Sequence, residues 1–206
     1  MIQDRFRAVP TTLAGPGDAP AVAALIAAAF GPLAVSNWLV TNSSEREEVL
    51  RSYFGIFVDH AVNHGEALMT EDRSGVLVSF PRSEPLPDIP EYEQRLARAC
   101  GRHIDRFRTL DEVFDERHPD EAHQHVAFVA VARSRQGCGI GAALMHHLHD
   151  RLERTGTPAY LEAACPRSRA FYLRLGYKDL GEPIVLPHGE PRLWPMWRDP
   201  AQNSPA

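Results

Sequence analysis

Lysine is almost missing from this chain: of its 22 basic residues, Lys178 is the single lysine and all others are arginine. With abundant Ala and Pro, that bias matches high-GC codon usage and carries no chemistry. Cysteine is also scarce. Cys100, Cys138 and Cys165 are odd in number, far apart and in no CxxC pair. That excludes a disulfide framework or a cysteine-based zinc cluster and fits a reducing, cytoplasmic setting. No apolar run approaches the ~20 residues of a membrane span. The opening MIQDRFRAV lacks the apolar core of a secretory signal. A basic footprint is missing too: net charge is −5 and the pI is near 6.0. A membrane partner and a nucleic-acid partner are therefore not expected.

What is present is a core-forming chain. Apolar residues make up 44% of 206 residues, and a chain of this size buries roughly 70% of its unfolded surface. One domain over residues 1–206 is expected. Charge is unevenly spread: residues 1–132 carry −8, whereas residues 133–178 carry +5. A basic patch on an acidic protein suits a small polyanion.

Periodicity predicts the elements. Residues 5–9 read as a first strand. Asp18 and Pro20 open a helix that carries Val22, Leu25, Ile26, Ala29 and Phe30 and stops at Gly31-Pro32. Ser44-x-x-Glu47 reads as a capping box for a second helix ending before Gly65. Residues 66–70 and 75–80 read as a hairpin. Residues 91–117 read as two helical pieces broken near Gly101. His125–Val131 is a continuous apolar run, hence a buried strand. A helix through Leu144, Leu148 and Leu152 follows, then a strand at 158–163 and a short helix at 167–175. Strands at 177–180 and 193–197 close the order. The fold class is α/β: a mixed β-sheet flanked by helices, with a helical insertion before the fourth strand.

The most informative segment is VAVARSRQGCGIGAALM, residues 129–145. Gly137, Gly139 and Gly141 alternate between a strand and a helix. Lacking Cβ atoms, they let backbone N–H groups approach a ligand. The helix start adds unpaired N–H groups and the positive dipole end, which makes an anion site suited to phosphate. Arg133 and Arg135 add charge. A plain tight turn would explain the glycines without function. A dinucleotide fold is a rival, since Gly137-x-Gly139-x-x-Ala142 fits its fingerprint and Glu162 ends the next strand. Against it, five residues separate strand from glycines and only about 65 residues follow. A Walker loop fails because no Lys-Ser/Thr follows.

Gln136-x-x-Gly139-x-Gly141 after an apolar strand resembles the acyl-CoA motif of the GCN5-related N-acetyltransferases (GNAT). Phe171-Tyr172-Leu173-Arg174-Leu175-Gly176-Tyr177 resembles that family's second signature. The likeness also runs through Arg135–Gly139, Pro158–Glu162, Pro166-Arg167 and Leu193–Arg198. It covers residues 123–198 well and residues 1–120 loosely. Cys138 stands where Lys or Arg is common, and Cys165 where Asn is common.

The resemblance implies a GNAT-like fold, acetyl-CoA as co-substrate, no metal, and direct acetyl transfer to a small-molecule amine. An aminonucleoside antibiotic is the acceptor it points to. Another small amine, a protein amino terminus, or a non-catalytic acyl-CoA-binding module are the alternatives. The implied cofactor-binding residues are Gln136, Gly137, Cys138, Gly139, Ile140, Gly141 and Ala142 for the pyrophosphate. Val129, Ala130 and Val131 would hold the pantetheine arm as an added strand, and Ser168 joins the set. Tyr172 is implied as the acid that protonates the leaving thiolate.

His123 is the candidate base, with His125 on the same strand face and Glu121 close by. A metal on these two histidines lacks a third ligand in sequence. His60 and His64 have ligand spacing but no intervening Glu, so they read as a polar helix face. His146, His147 and His149 read as solvent-facing. Trp38, Tyr53 and Phe80 are candidates for an acceptor pocket or for core. Cys138 is a candidate reactive thiol.

Overall fold

A computed structural model describes residues 9–187 and 191–201. Residues 5–8 of the expected first strand lie outside it, and position 9 is irregular. The elements in chain order are β1 (Thr11–Leu13), α1 (Ala19–Phe30), α2 (Ala34–Leu39), α3 (Ser43–His64), β2 (Glu66–Thr70), β3 (Gly75–Pro81), α4 (Tyr92–Cys100), α5 (Ile104–Arg117), β4 (Gln124–Val131), α6 (Ile140–Thr155), β5 (Ala159–Ala163), α7 (Pro166–Arg174), β6 (Lys178–Asp179), β7 (Ile184–Val185) and β8 (Arg192–Arg198). The strands form one mixed sheet in the order β1-β2-β3-β4-β5-β8-β6, with β7 paired to β8. Helices α4 and α5 are the insertion before β4, broken at Gly101.

Local chemistry explains most boundaries. Asn42, not Ser44, caps α3: its side-chain oxygen accepts from the Ser44 backbone N–H at 3.1 Å. Asp18 stands before α1 but turns its carboxylate to the Gly15 N–H and to Arg73 instead of the helix. The β2–β3 turn is held by Thr70 and Asp72, which accept from the backbone N–H groups of Gly75 and Ser74. Helix α2 has six residues, too short for periodicity to reveal.

Two apolar clusters sandwich the sheet. One packs α1, α3 and the insertion helices on one face, through Val22, Ile26, Phe54, Phe107 and neighbours. The other packs α6 and α7 on the opposite face, through Leu144, Met145, Leu148 and Tyr172. Tyr53 and Phe80 belong to the first cluster, 5% and 4% exposed, and do not line the cleft described below. Trp38 packs at its edge, under Arg106 at 5.8 Å. His60 is buried against Phe80, because α3 lies flat on the sheet, while His64 is exposed. His149 is likewise buried rather than solvent-facing, its Nε2 3.1 Å from the Tyr177 hydroxyl.

Two features of β4 shape the function. Val78 opposes Phe128 and Ser79 opposes Val126, so Ala127 is an extra residue that bulges the strand. On its other edge β4 pairs in parallel with β5 only at Gln124↔Ala159 and His125↔Tyr160. Beyond that point the two strands part, which leaves one edge of β4 without a strand partner among the described residues.

Candidate active site

The parting of β4 and β5 opens a cleft of about 640 Å³. Its walls are Val126–Val131 without Phe128, the glycine turn, the end of β5 and α7, with Ala29, Phe30, Pro32 and Leu33 at one side. Of the residues assigned to a cofactor from sequence, Val129, Ala130, Val131, Gln136, Gly137, Gly139, Ile140, Gly141, Ala142 and Ser168 all line it, as does Tyr172. Cys138 is exposed and outside the lining.

The turn is built for close approach. Gly137 and Gly139 have φ of 81° and 84°, the left-handed region that favours glycine. A Cβ at either would meet no atom within 4 Å, so the space over both is open. The first helical bond of α6 runs from the Ala143 N–H to the Gly139 carbonyl at 2.9 Å. The N–H groups of Ile140, Gly141 and Ala142 precede it and carry the positive end of a 16-residue helix. Charge in the cleft is polarised. Arg133, Arg135, Arg167 and Arg174 line it, against one carboxylate, Glu162. Arg135 is partly neutralised by Asp72 at 3.3 Å.

Tyr172 sits on α7, whose first turn is fixed by Cys165. The thiol accepts from the Ser168 N–H at 3.4 Å, and the Ser168 hydroxyl accepts from the Cys165 N–H. Cys165 thus serves as an N-cap in place of the commoner oxygen side chains. Burial pushes the Tyr172 phenol above its ordinary pKa, so it stays protonated and can act as a donor.

His123 is 1% exposed and does not line the cleft. Its Nδ1 donates to the Glu121 carbonyl at 2.6 Å, and its Nε2 lies 3.1 Å from His118 Nε2. Burial lowers its pKa. The group that does reach the cleft is Glu162. Its Oε2 is 3.1 Å from His125 Nε2, its Oε1 is buried, and the Tyr160 hydroxyl also serves the carboxylate. Burial raises its carboxyl, but His125, the Tyr160 hydroxyl and His118 together outweigh that and leave it below the ordinary carboxylate value. Glu162 is therefore an anion at neutral pH. Sequence reasoning weighed it only as a ribose ligand. Its signal was a charged residue in the otherwise apolar strand AYLEA, a residue type rarely buried without a purpose.

Comparison with known proteins supports the same frame. Residues 104–179 match the family model of the acetyltransferase (GNAT) domain. That span runs from α5 to β6 and contains both strands of the cleft, the glycine turn and Tyr172. A histone acetyltransferase HPA2 and related acetyltransferase from Corynebacterium glutamicum is similar in structure, with a TM-score of 0.70 and 24% identity over 95% of this chain and 98% of that one. Arylalkylamine N-acetyltransferase 2 from Aedes aegypti gives 0.58 and 13% over 92% and 97%. The C-terminal condensation domain of Ebony, in complex with beta-alanyl-dopamine, gives 0.56 and 15% over 92% and 97%. The chain thus has the fold of the GNAT acetyltransferases, and its residues 104–179 carry the match to the GNAT acetyltransferase domain.

Proposed function

We propose that the protein transfers an acetyl group from acetyl-CoA to the amine of a small molecule, directly and in the cytoplasm. The observation that carries this is the wedge between β4 and β5, with a phosphate-binding turn at one end and a carboxylate and a phenol along it. The pyrophosphate fits the N–H groups of Gly137 and of Gly139–Ala142, and the arginines suit the remaining phosphate charge. The pantetheine arm fits the unpaired edge of β4 as an added strand. The GNAT match over residues 104–179 supports acetyl-CoA as the donor. No helix among the described residues is long and apolar enough to cross a membrane, and the three cysteines are unpaired.

The chemistry follows from the groups present. An acceptor ammonium is drawn to Glu162, the one carboxylate in the lining. Glu162, held by the N–H of His125, takes one proton from the ammonium; the freed amine nitrogen attacks the thioester carbonyl, and its second proton leaves to water as the tetrahedral adduct collapses. A backbone N–H near Val129–Ala130 stabilises the oxyanion. The carbon–sulfur bond then breaks, and Tyr172 gives its proton to the departing thiolate. Glu162 takes over the role that sequence assigned to His123. For the acceptor, Phe30, Pro32 and Leu33 offer an apolar wall in the same cleft as Glu162, which favours an amine on an aromatic or apolar body. The sequence likeness to puromycin N-acetyltransferase makes the amine of an aminonucleoside antibiotic such as puromycin the first acceptor to test.

CoA release measured over a panel of amines tests the reading. Turnover with acetyl-CoA and an aromatic or nucleoside amine supports it. Acetyl-CoA binding without turnover of any amine would leave a binding module in its place.

A further inference from the structure

At the closed end of the wedge, the loop following α5 brings His118 over the strands that carry His125 and Glu162. One ligand atom from each of these three residues lies within 4.8 Å of the others. They come from a loop and two strands whose short pairing, Gln124↔Ala159 and His125↔Tyr160, ends beside them. One polar atom among them has nothing to bond: His125 Nδ1 is buried with no hydrogen-bond partner among the described residues, whereas the Tyr160 hydroxyl and the Glu162 carboxylate serve each other. Such an orphan costs on the order of 1–3 kcal/mol and points to a missing occupant.

The surrounding hydrogen bonds fix the protonation state that a metal needs. His123 gives its Nδ1–H to the Glu121 carbonyl at 2.6 Å, which leaves its Nε2 as an acceptor. His118 must then donate its Nε2–H across the 3.1 Å contact between the two rings. That leaves His118 Nδ1 as the lone-pair nitrogen. A ligating histidine whose other N–H is held by an outer partner is the usual arrangement around bound metals. The 3.1 Å contact from His125 to Glu162 works in the same way: Nε2–H donates to the carboxylate Oε2 and leaves His125 Nδ1 as the lone-pair nitrogen.

We propose that His118, His125 and Glu162 form a site for a divalent transition-metal ion, with zinc the best fit to two imidazoles and a carboxylate in a tetrahedral shell. Arg82, whose charge reaches His118 and His123, opposes a cation there. The Glu162 carboxylate offsets it and makes the site depend on that one anion. Glu162 is the only one of the three that lines the cleft, so it links this site to the acceptor's space.

The test uses the untagged protein and the metal alone. Titration with Zn²⁺ by calorimetry should give one ion per chain, and Co²⁺ should show the intense visible bands of tetrahedral coordination. His118→Gln and Glu162→Gln, each shown folded by circular dichroism, should weaken binding by more than the ~10- to 100-fold that loss of an outer partner costs. His147→Ala, at an exposed histidine, should bind as the wild type does. No tetrahedral Co²⁺ spectrum in the wild type overturns the site. So does binding that survives both glutamine variants or vanishes in His147→Ala. A second arm rests on the acetyltransferase reading: Zn²⁺ should inhibit CoA release in competition with the acceptor amine, because both need Glu162. Since binding is read without substrate, failure of that reading leaves the metal test intact.

Discussion

Glu162 reaches back along β5 to meet His125 across the last paired position of β4 and β5, Oε2 to Nε2 at 3.1 Å. The pair sits where the sheet splits, so the carboxylate is tied to imidazole while the residue still lines the cleft. Glu162→Gln keeps the shape and removes the charge. With an acceptor that turns over, kcat/KM should fall on the order of 10²- to 10³-fold, within the ~10²–10⁴ range for proton transfer. Acetyl-CoA affinity by calorimetry should stay within a factor of about two. Full activity in this variant would remove Glu162 from the proton path and return His123 to consideration.

Tyr172 allows a sharper cut, because Tyr172→Phe removes a single oxygen from a ring already packed against Phe171 and Tyr177. Turnover should drop roughly 10²-fold with acetyl-CoA affinity little changed. A thioester donor with a more acidic thiol should recover part of the loss, since its thiolate leaves without a proton. An unchanged ratio between the two donors would show that the phenol packs and does not donate.

Gly139 separates strain from ligand approach. Gly139→Ala places a Cβ at φ 84°, which costs about 1–2 kcal/mol of stability. The same Cβ points into open space over the turn. Acetyl-CoA affinity should fall at least tenfold, while urea unfolding shows only that modest loss. Gly156→Ala is the control: φ is 65° there too, at the far end of α6. It should carry a similar stability cost and leave affinity alone. Equal affinity losses in both variants would mean that the helix, not the approach, was damaged.

How much of this was legible in the sequence depends on range. The glycine turn was, because alternate glycines between an apolar run and a helical period are a local signal. So were β4, β5 and the break at Gly101. The wedge was not: it arises where two strands distant in sequence stop pairing, and no residue in either announces it. His118 was missed for the same reason. It lies in a loop five residues before His123, and only the path of the insertion brings it over the sheet. His149 was read as solvent-facing because its neighbours His146 and His147 are, yet the helical period turns it inward to Tyr177. Asn42 displaced Ser44 as the cap of α3 because its side chain reaches the N–H two residues on.

The insertion carries a titration that stability should report. Asp111 on α5 accepts from the Tyr92 hydroxyl at 2.5 Å and more weakly from Tyr53 at 3.4 Å. Burial is the main cause of a pKa pushed up to about 6; the Tyr92 bond opposes it and Asp115 adds to it. The folded value lies above the unfolded one, ~3.9, so the folded state binds the proton more tightly. Asp111's contribution is then full below pH ~4 and is lost as pH rises through about 6. At ~1.4 kcal/mol per pKa unit, the loss is on the order of 2–3 kcal/mol. Asp111→Asn removes the titration, and its amide oxygen can still accept from Tyr92. The stability difference between variant and wild type, from urea unfolding at pH 4.5 and 7.5, should therefore move in the variant's favour at the higher pH. Other titrating groups cancel in that difference. A difference that stays constant between the two pH values would show that the Asp111 carboxyl ionises in the folded protein as easily as in the unfolded chain.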